Sequence, residues 1–260
     1  MDKTSVKGLY SPEFEHDACG VGLIADLKGG KSHEIVEDAI LILENMVHRG
    51  AESADNKTGD GAGIMTQIPH EFILLQGIPV PEKGKYGVGM IFTPKDEKQK
   101  CIDIIKEQSA ALGLNVTAIR DVPVNSSILG ETALKTEPAV IQAIITPATA
   151  DENLERTLYI LRKHIEHAAE KCDTGIEKGF YICSLSTRNI IYKGMLSSLQ
   201  LRAYYPDLSS PYFTSGMALV HSRFSTNTFP TWALAQPFRL LGHNGEINTI
   251  KVNRSWMQAR

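Results

Sequence analysis

The sequence predicts a layered α+β domain built on antiparallel strands. Three observations carry that expectation. The strand-like and helix-like segments come in the order strand–helix–strand–strand–helix, which suits antiparallel pairing better than a doubly wound parallel sheet. The first helical segment has two adjacent apolar stripes, the broad face of a helix laid on a sheet. The balance of 42% apolar and 22% charged residues over 260 positions is that of one large globular domain or two small ones, with chain enough for a sizeable core.

Taken in order, "GVGLIADL" after Cys19 alternates as a short strand and stops at Gly29-Gly30. Ser32 is placed to cap a helix with Glu34 and Glu37 in its early turns. Ile35, Ala39, Ile42 and Met46 form one stripe and Val36, Ile40, Leu43 and Val47 the next, so the helix should end near Arg49-Gly50. "TGDGAGIMTQIP" reads as a Gly-rich turn and a strand, and "KYGVGMIFTP" as another strand. "KDEKQKCIDIIKEQSAALG" is helical, with Gly113 near its C-terminus. "LNVTAIRDVPV" and "AVIQAIITP" are strands bounded by proline. The longest helix should run from about Asp151 to Lys171, burying Leu154, Leu158, Leu161 and Ile165. "FYICSLS", "NIIYKG" and "SGMALVHSRFS" are strands again, and "EINTIKVNRSWMQAR" opens a terminal helix. That pattern has no C-cap signal, so a longer parent protein is expected.

Several function classes are disfavoured at once. A net charge of -3 offers no general attraction to nucleic acid or an anionic membrane, and no apolar run approaches the ~20 residues of a membrane span. Cysteines at 19, 101, 172 and 183 form no CxxC pair, which points to reduced thiols in a cytoplasmic compartment rather than a disulfide or metal framework. Residues 1–18 carry six charged side chains of Asp, Glu and Lys and no apolar core, so they are not a secretory signal. "GVGLIA" matches G-x-G-x-x-A, yet no strand precedes it and the helix begins about ten residues too late for a dinucleotide site. His164 and His167 stand at metal-compatible spacing without a third ligand, and are expected to be solvated. Cys172 and Cys183 are expected to be core thiols, and Cys101 opens an amphipathic helix.

Cys19 carries chemistry if the chain is cut before it. A free α-amine has a pKa of ~7.7–8.0, close to the ~8.5 of a thiol, so one residue would supply both nucleophile and base. Gly20 and Gly22 would leave room for substrate at the backbone. In "MALVHSRFSTN", strand alternation puts Met217, Leu219, His221 and Arg223 on one face. Arg223 there needs an anion, either a substrate carboxylate or an Asp or Glu of the fold. "GHNGEIN" is either a tight turn or a place where the Asn244 amide and the Gly245 N–H meet a developing oxyanion.

Together "HDACGVG", "HRGAESADNKTGDGAGI", "HSRFSTNTFPTWALAQPFRLLGHNGEIN" and "NRSWMQAR" resemble the N-terminal glutaminase domain of the glutamate synthase large subunit, from about Leu9 to Arg260. That family consists of class II glutamine amidotransferases with the N-terminal-nucleophile hydrolase fold. The resemblance implies a four-layer αββα sandwich, here truncated at the C-terminus, over residues 19–260, with residues 1–18 a pro-segment that is removed. It implies Cys19 as nucleophile, Asn244 and Gly245 as the oxyanion pair, Arg223 and Thr226 on the glutamine substrate, and Arg49 lining the thiol's pocket. No cofactor is implied for this segment, whereas FMN and an iron–sulfur cluster are implied for the full-length protein. Implied partners are L-glutamine, the downstream synthase domains, and a small NADPH-oxidising subunit or ferredoxin. The chain stops before the family's downstream aspartate for the substrate amine, so the segment alone is not expected to be a competent enzyme. The rival expectations are the glutaminase of another class II amidotransferase and a non-catalytic glutamine-binding domain.

Overall fold

The computed structural model describes residues 20–50, 55, 57–222, 229–242 and 250–260. In chain order its elements are β1 (Val21–Ala25), α1 (Glu34–Asn45), β2 (Ala62–Gln67), α2 (His70–Leu75), β3 (Gly87–Thr93) and α3 (Lys98–Ala111). There follow β4 (Leu114–Asp121), α4 (Glu131–Lys135), β5 (Ala139–Pro147), α5 (Leu154–Lys171), β6 (Tyr181–Ser186), β7 (Asn189–Gly194), α6 (Leu201–Tyr204), β8 (Met217–Ser222) and α7 (Ile250–Ala259). They build two antiparallel sheets, ordered β1-β8-β2-β7 and β4-β5-β3-β6. One apolar core joins α1 and the first sheet to Val88, Met90, Phe92 and Ile144 of the second. Another seals Ile91, Ile141, Ala143 and Ile145 under α3 and α5. The order of layers is therefore α, β, β, α, the sandwich that the resemblance implies.

The long elements fall where the hydrophobic periods place them. α5 buries Leu154, Leu158, Leu161 and Ile165, and α1 buries Ile35, Val36, Ala39, Ile40 and Leu43. Their ends differ from expectation. α1 stops at Asn45 because Met46 bonds back to the Leu43 carbonyl (3.1 Å) and the chain tightens into a 3-10 turn over Val47–Arg49. The cap residue of α1 is His33, while the Ser32 hydroxyl accepts only a long bond from the Ile35 amide, at 3.4 Å. Cys172 is exposed rather than a core thiol, because α5 ends one residue before it and Asp173 turns away at φ 53°. Cys101 and Cys183 are buried, and His164 and His167 are exposed.

A polar brace ties the two sheets together. Arg120 on β4 donates to both carboxylate oxygens of Asp207, at 2.7 and 2.8 Å, and to Gln142 on β5 at 3.1 Å. Tyr192 on β7 donates to the same carboxylate at 2.9 Å and accepts from the Gln142 amide at 2.7 Å. Asp207 sits in the 3-10 turn Pro206–Ser209 that follows α6. Every group in the brace is largely dry, so its hydrogen bonds fix the spacing of the layers rather than decorate a surface. No helix among the described residues is long and apolar enough to cross a membrane.

Candidate active site

The site is approached from the strand ends. Val21 of β1 stands opposite His221 of β8, and the Gly20 carbonyl accepts the Ser222 amide at 2.7 Å. Ala62, the first residue of β2, is in register with Ser222 on one side and Gly194 on the other. One edge of the first sheet is thus drawn along Gly20, Ser222, Ala62 and Gly194. The Ser222 hydroxyl is 2.8 Å from that of Ser198, and a Cβ on Gly50 would stand 3.6 Å from it. The turn before β2 packs on the Leu196–Ser197 backbone, where a Cβ on Gly59 would stand 2.1 Å away, and it buries Thr58 and Asp60.

Cys19, Arg223, Thr226, Asn244, Gly245 and the side chain of Arg49 lie outside the described residues, as does the leader 1–18. Their chain neighbours do not. Gly20 follows Cys19, Ser222 precedes Arg223, Gly50 follows Arg49, and Gly242 stands two residues before Asn244. Gly20, Gly50 and Ser222 meet at one strand end, and Gly242 rests on β8, where its missing Cβ would lie 2.5 Å from Leu219 Cδ1. The expectation for Gly22 is corrected. Its open face is filled by the Ile42 side chain of α1, so its lack of a side chain serves helix packing and leaves no room for substrate.

Residues 229–242 run as a strap over the sheet. The Trp232 indole donates to the Ala133 carbonyl at 3.2 Å and meets Phe92 edge-on. Gly63 of β2 has no side chain to hold the strap off, and a Cβ there would come within 2.5 Å of the Gln236 carbonyl. The Arg239 guanidinium reaches the Ile182 carbonyl and lies over the Tyr181 ring. Beneath the strap lies Lys193 of β7, 0% exposed, whose ammonium donates to the carbonyls of Ala233 (2.9 Å) and Ala235 (2.6 Å). The rings of Tyr181 and Phe238 lie 4.6 and 4.7 Å from Nζ.

Burial pushes the Lys193 amine down to about 8 from its ordinary 10.5. The consequence for stability has a definite sign. Below pH 8 both folded and unfolded chains hold the proton, and the cost of burying the charge is present in full. Between about 8 and 10.5 the folded chain has released the proton and that cost is relieved, by about 3 kcal/mol at roughly 1.4 kcal/mol per pH unit. The unfolding free energy of the wild type, relative to Lys193→Met, should therefore rise across this window. Urea unfolding of both proteins at pH 7.5 and pH 10 measures it. A constant difference would mean that the amine carries no buried charge.

Two residues of this region passed unnoticed in the sequence. Asp55 accepts the Thr58 hydroxyl (2.6 Å), the Thr58 amide (2.7 Å) and the Lys57 amide (3.0 Å), and these bonds hold its carboxyl well below the usual range. The signal was the spacing in "DNKT", a carboxylate three residues before a threonine. Lys193 was legible as a cation inside the apolar strand "NIIYKG", a position that demands partners. Among the described residues no group of three His, Cys, Asp or Glu side chains could hold a metal ion.

The strand order is that of two antiparallel sheets stacked between helices, and the chain neighbours of Cys19, Arg49 and Arg223 meet at one strand end; comparison with known proteins gives the class. Residues 19–260 match the family of class II glutamine amidotransferases, and the chain belongs to it. The relatives it resembles are glutamate synthases. It is 48% identical to glutamate synthase [NADH] of Saccharomyces cerevisiae over 98% of the chain, and 47% identical to the glutamate synthase [NADPH] large chain of Bacillus subtilis, again over 98%. It is 45% identical over 95% of the chain to ferredoxin-dependent glutamate synthase 2 of Synechocystis. The chain spans only 12, 17 and 16% of the length of these three relatives.

Proposed function

We propose that this chain is the glutaminase part of a glutamate synthase, hydrolysing L-glutamine through an N-terminal cysteine. The observation that carries the proposal is the bond between Gly20 and Ser222, which joins the chain neighbours of Cys19 and Arg223 across adjacent strands. The family match opening at residue 19 supports a mature chain that begins with the thiol.

On this reading removal of residues 1–18 frees the α-amine of Cys19, which takes the thiol proton. The thiolate attacks the glutamine carboxamide, and the Asn244 amide and the Gly245 N–H receive the oxyanion. Collapse expels ammonia with a proton from the ammonium so formed, and water then cleaves the γ-glutamyl thioester to glutamate. Arg223 and Thr226 hold the substrate, the first by pairing with its α-carboxylate, and Arg49 lines the thiol's pocket. In the full-length protein the ammonia passes to 2-oxoglutarate in downstream synthase domains that hold FMN and an iron–sulfur cluster, in the cytoplasm. Relatives named for NADH, NADPH and ferredoxin match this stretch at 45 to 48% identity, so the electron donor is selected elsewhere in the protein.

The test is the intact mass and N-terminal residue of the protein produced with its downstream sequence, before and after a diazoketone analogue of glutamine. A chain that begins at Cys19 and gains one analogue supports the proposal. A retained leader on a folded protein with an unreactive thiol overturns it and leaves a glutamine-binding role.

A further inference from the structure

Lys193 has no part in the chemistry above, yet it is a fully buried cation. Among the described residues no carboxylate stands within ion-pair distance of it. The ionisable groups that face it are Cys183 and Tyr181 on β6 and Arg239 on the strap. Burial pushes the Cys183 thiol up to about 11 and raises the Tyr181 phenol, so both are neutral near pH 8, while Arg239 repels the ammonium. No opposite charge among these groups explains the lysine.

Its hydrogen bonds do. The strap has few backbone bonds of its own, from the amides of Leu234 and Ala235 to the Thr231 carbonyl and from the Leu241 amide to the Phe238 carbonyl. The carbonyls of Ala233 and Ala235 are buried and need donors, and one ammonium satisfies both. Phe238, on the same strap, packs its ring against that ammonium. Four residues further on the strap reaches Gly242 on β8, two residues before Asn244.

We propose that Lys193 is a positioning residue: it fixes the strap from below through the Ala233 and Ala235 carbonyls, and so sets where the strap delivers the Asn244–Gly245 pair to the Cys19 thiol. The proposal rests on the glutaminase reading. The chemistry asks for such a device, because a misplacement of about 1 Å can cost on the order of a hundredfold in rate.

The test uses the full-length protein and compares wild type, Lys193→Met and Lys193→Arg. It follows kcat and KM for glutamine hydrolysis, with labelling by the diazoketone analogue as the count of competent thiols. Lys193→Met is expected to fold and to lower kcat by about 10- to 100-fold, with KM changed by less than about threefold. Lys193→Arg, which keeps N–H donors for both carbonyls in a larger head group, should recover only part of kcat. Wild-type turnover in Lys193→Met, or a loss that lies wholly in KM, overturns the proposal. If Lys193→Met does not fold, the arginine variant decides, and full wild-type kcat in it, or a loss that lies wholly in KM, overturns the proposal. A wild type that neither turns over glutamine nor takes the label fails at the glutaminase reading, and the role of Lys193 falls with it. An active wild type with an indifferent lysine sinks the positioning role alone.

Discussion

Cys19→Ala in the full-length protein should lower glutamine hydrolysis by about ten-thousandfold or more, while glutamate synthesis driven by added ammonium persists. On the proposed mechanism, removing the nucleophile eliminates the thioester route outright, and what remains is the modest catalysis of substrate binding and oxyanion donors. Ammonium supplied from solution bypasses that step, so the synthase half reports that the protein is folded. Measuring both activities in one preparation separates loss of chemistry from loss of structure. If glutamine turnover survives the substitution, Cys19 is not the nucleophile. If both activities vanish together, the residue has a structural duty that the proposal does not include.

The largest effect on stability is expected at Asp207. Asp207→Ala would leave the Arg120 guanidinium, 11% exposed, without its two carboxylate bonds, and the Tyr192 hydroxyl without its acceptor. Breaking a buried pair on one side typically costs about 3–5 kcal/mol, because the remaining charge cannot recover its hydration. The brace also couples the two sheets, so the loss should appear as a lower midpoint for the whole domain rather than fraying of one edge. Denaturant unfolding followed by tryptophan fluorescence, with Trp232 in the core, measures it. A change below about 1 kcal/mol would show that water re-solvates Arg120 and that the brace is not closed.

What could be read from the sequence was whatever leaves a repeated local signal. The stripe Leu154, Leu158, Leu161 and Ile165 has a single periodic solution, and the structure adopts it. The antiparallel sandwich followed from the order of segments, and the resemblance of four separated motifs supplied the layers. Contacts between distant segments were not legible. The period that buried Ile165 pointed at Cys172 as well, but the turn at Asp173 overrode it. α2, α4 and α6, with six, five and four residues, are too short to show a period at all. The space left by Gly22 is filled by Ile42, whose approach depends on how α1 crosses the sheet. Lys193 is the instructive omission, since a charge in an apolar strand is anomalous from the sequence alone. Its partners, however, are carbonyls forty or more residues away.

The pairing of β1 with β8 also bears on the order of events during synthesis. Val21 and His221 are 200 positions apart, and among the described strands β8 is the one neighbour that β1 has. Joining segments so distant costs roughly 5 kcal/mol of chain entropy by the logarithmic rule, so the first strand gains little by docking before the rest of the core exists. On a ribosome the N-terminal strand therefore waits for residue 222 to emerge. Any cut that depends on a docked junction before Cys19 is timed by the same event. Maturation would then mark a completed fold, and a nascent or broken chain would keep its thiol beside a blocked amine, unable to release ammonia with nowhere to send it.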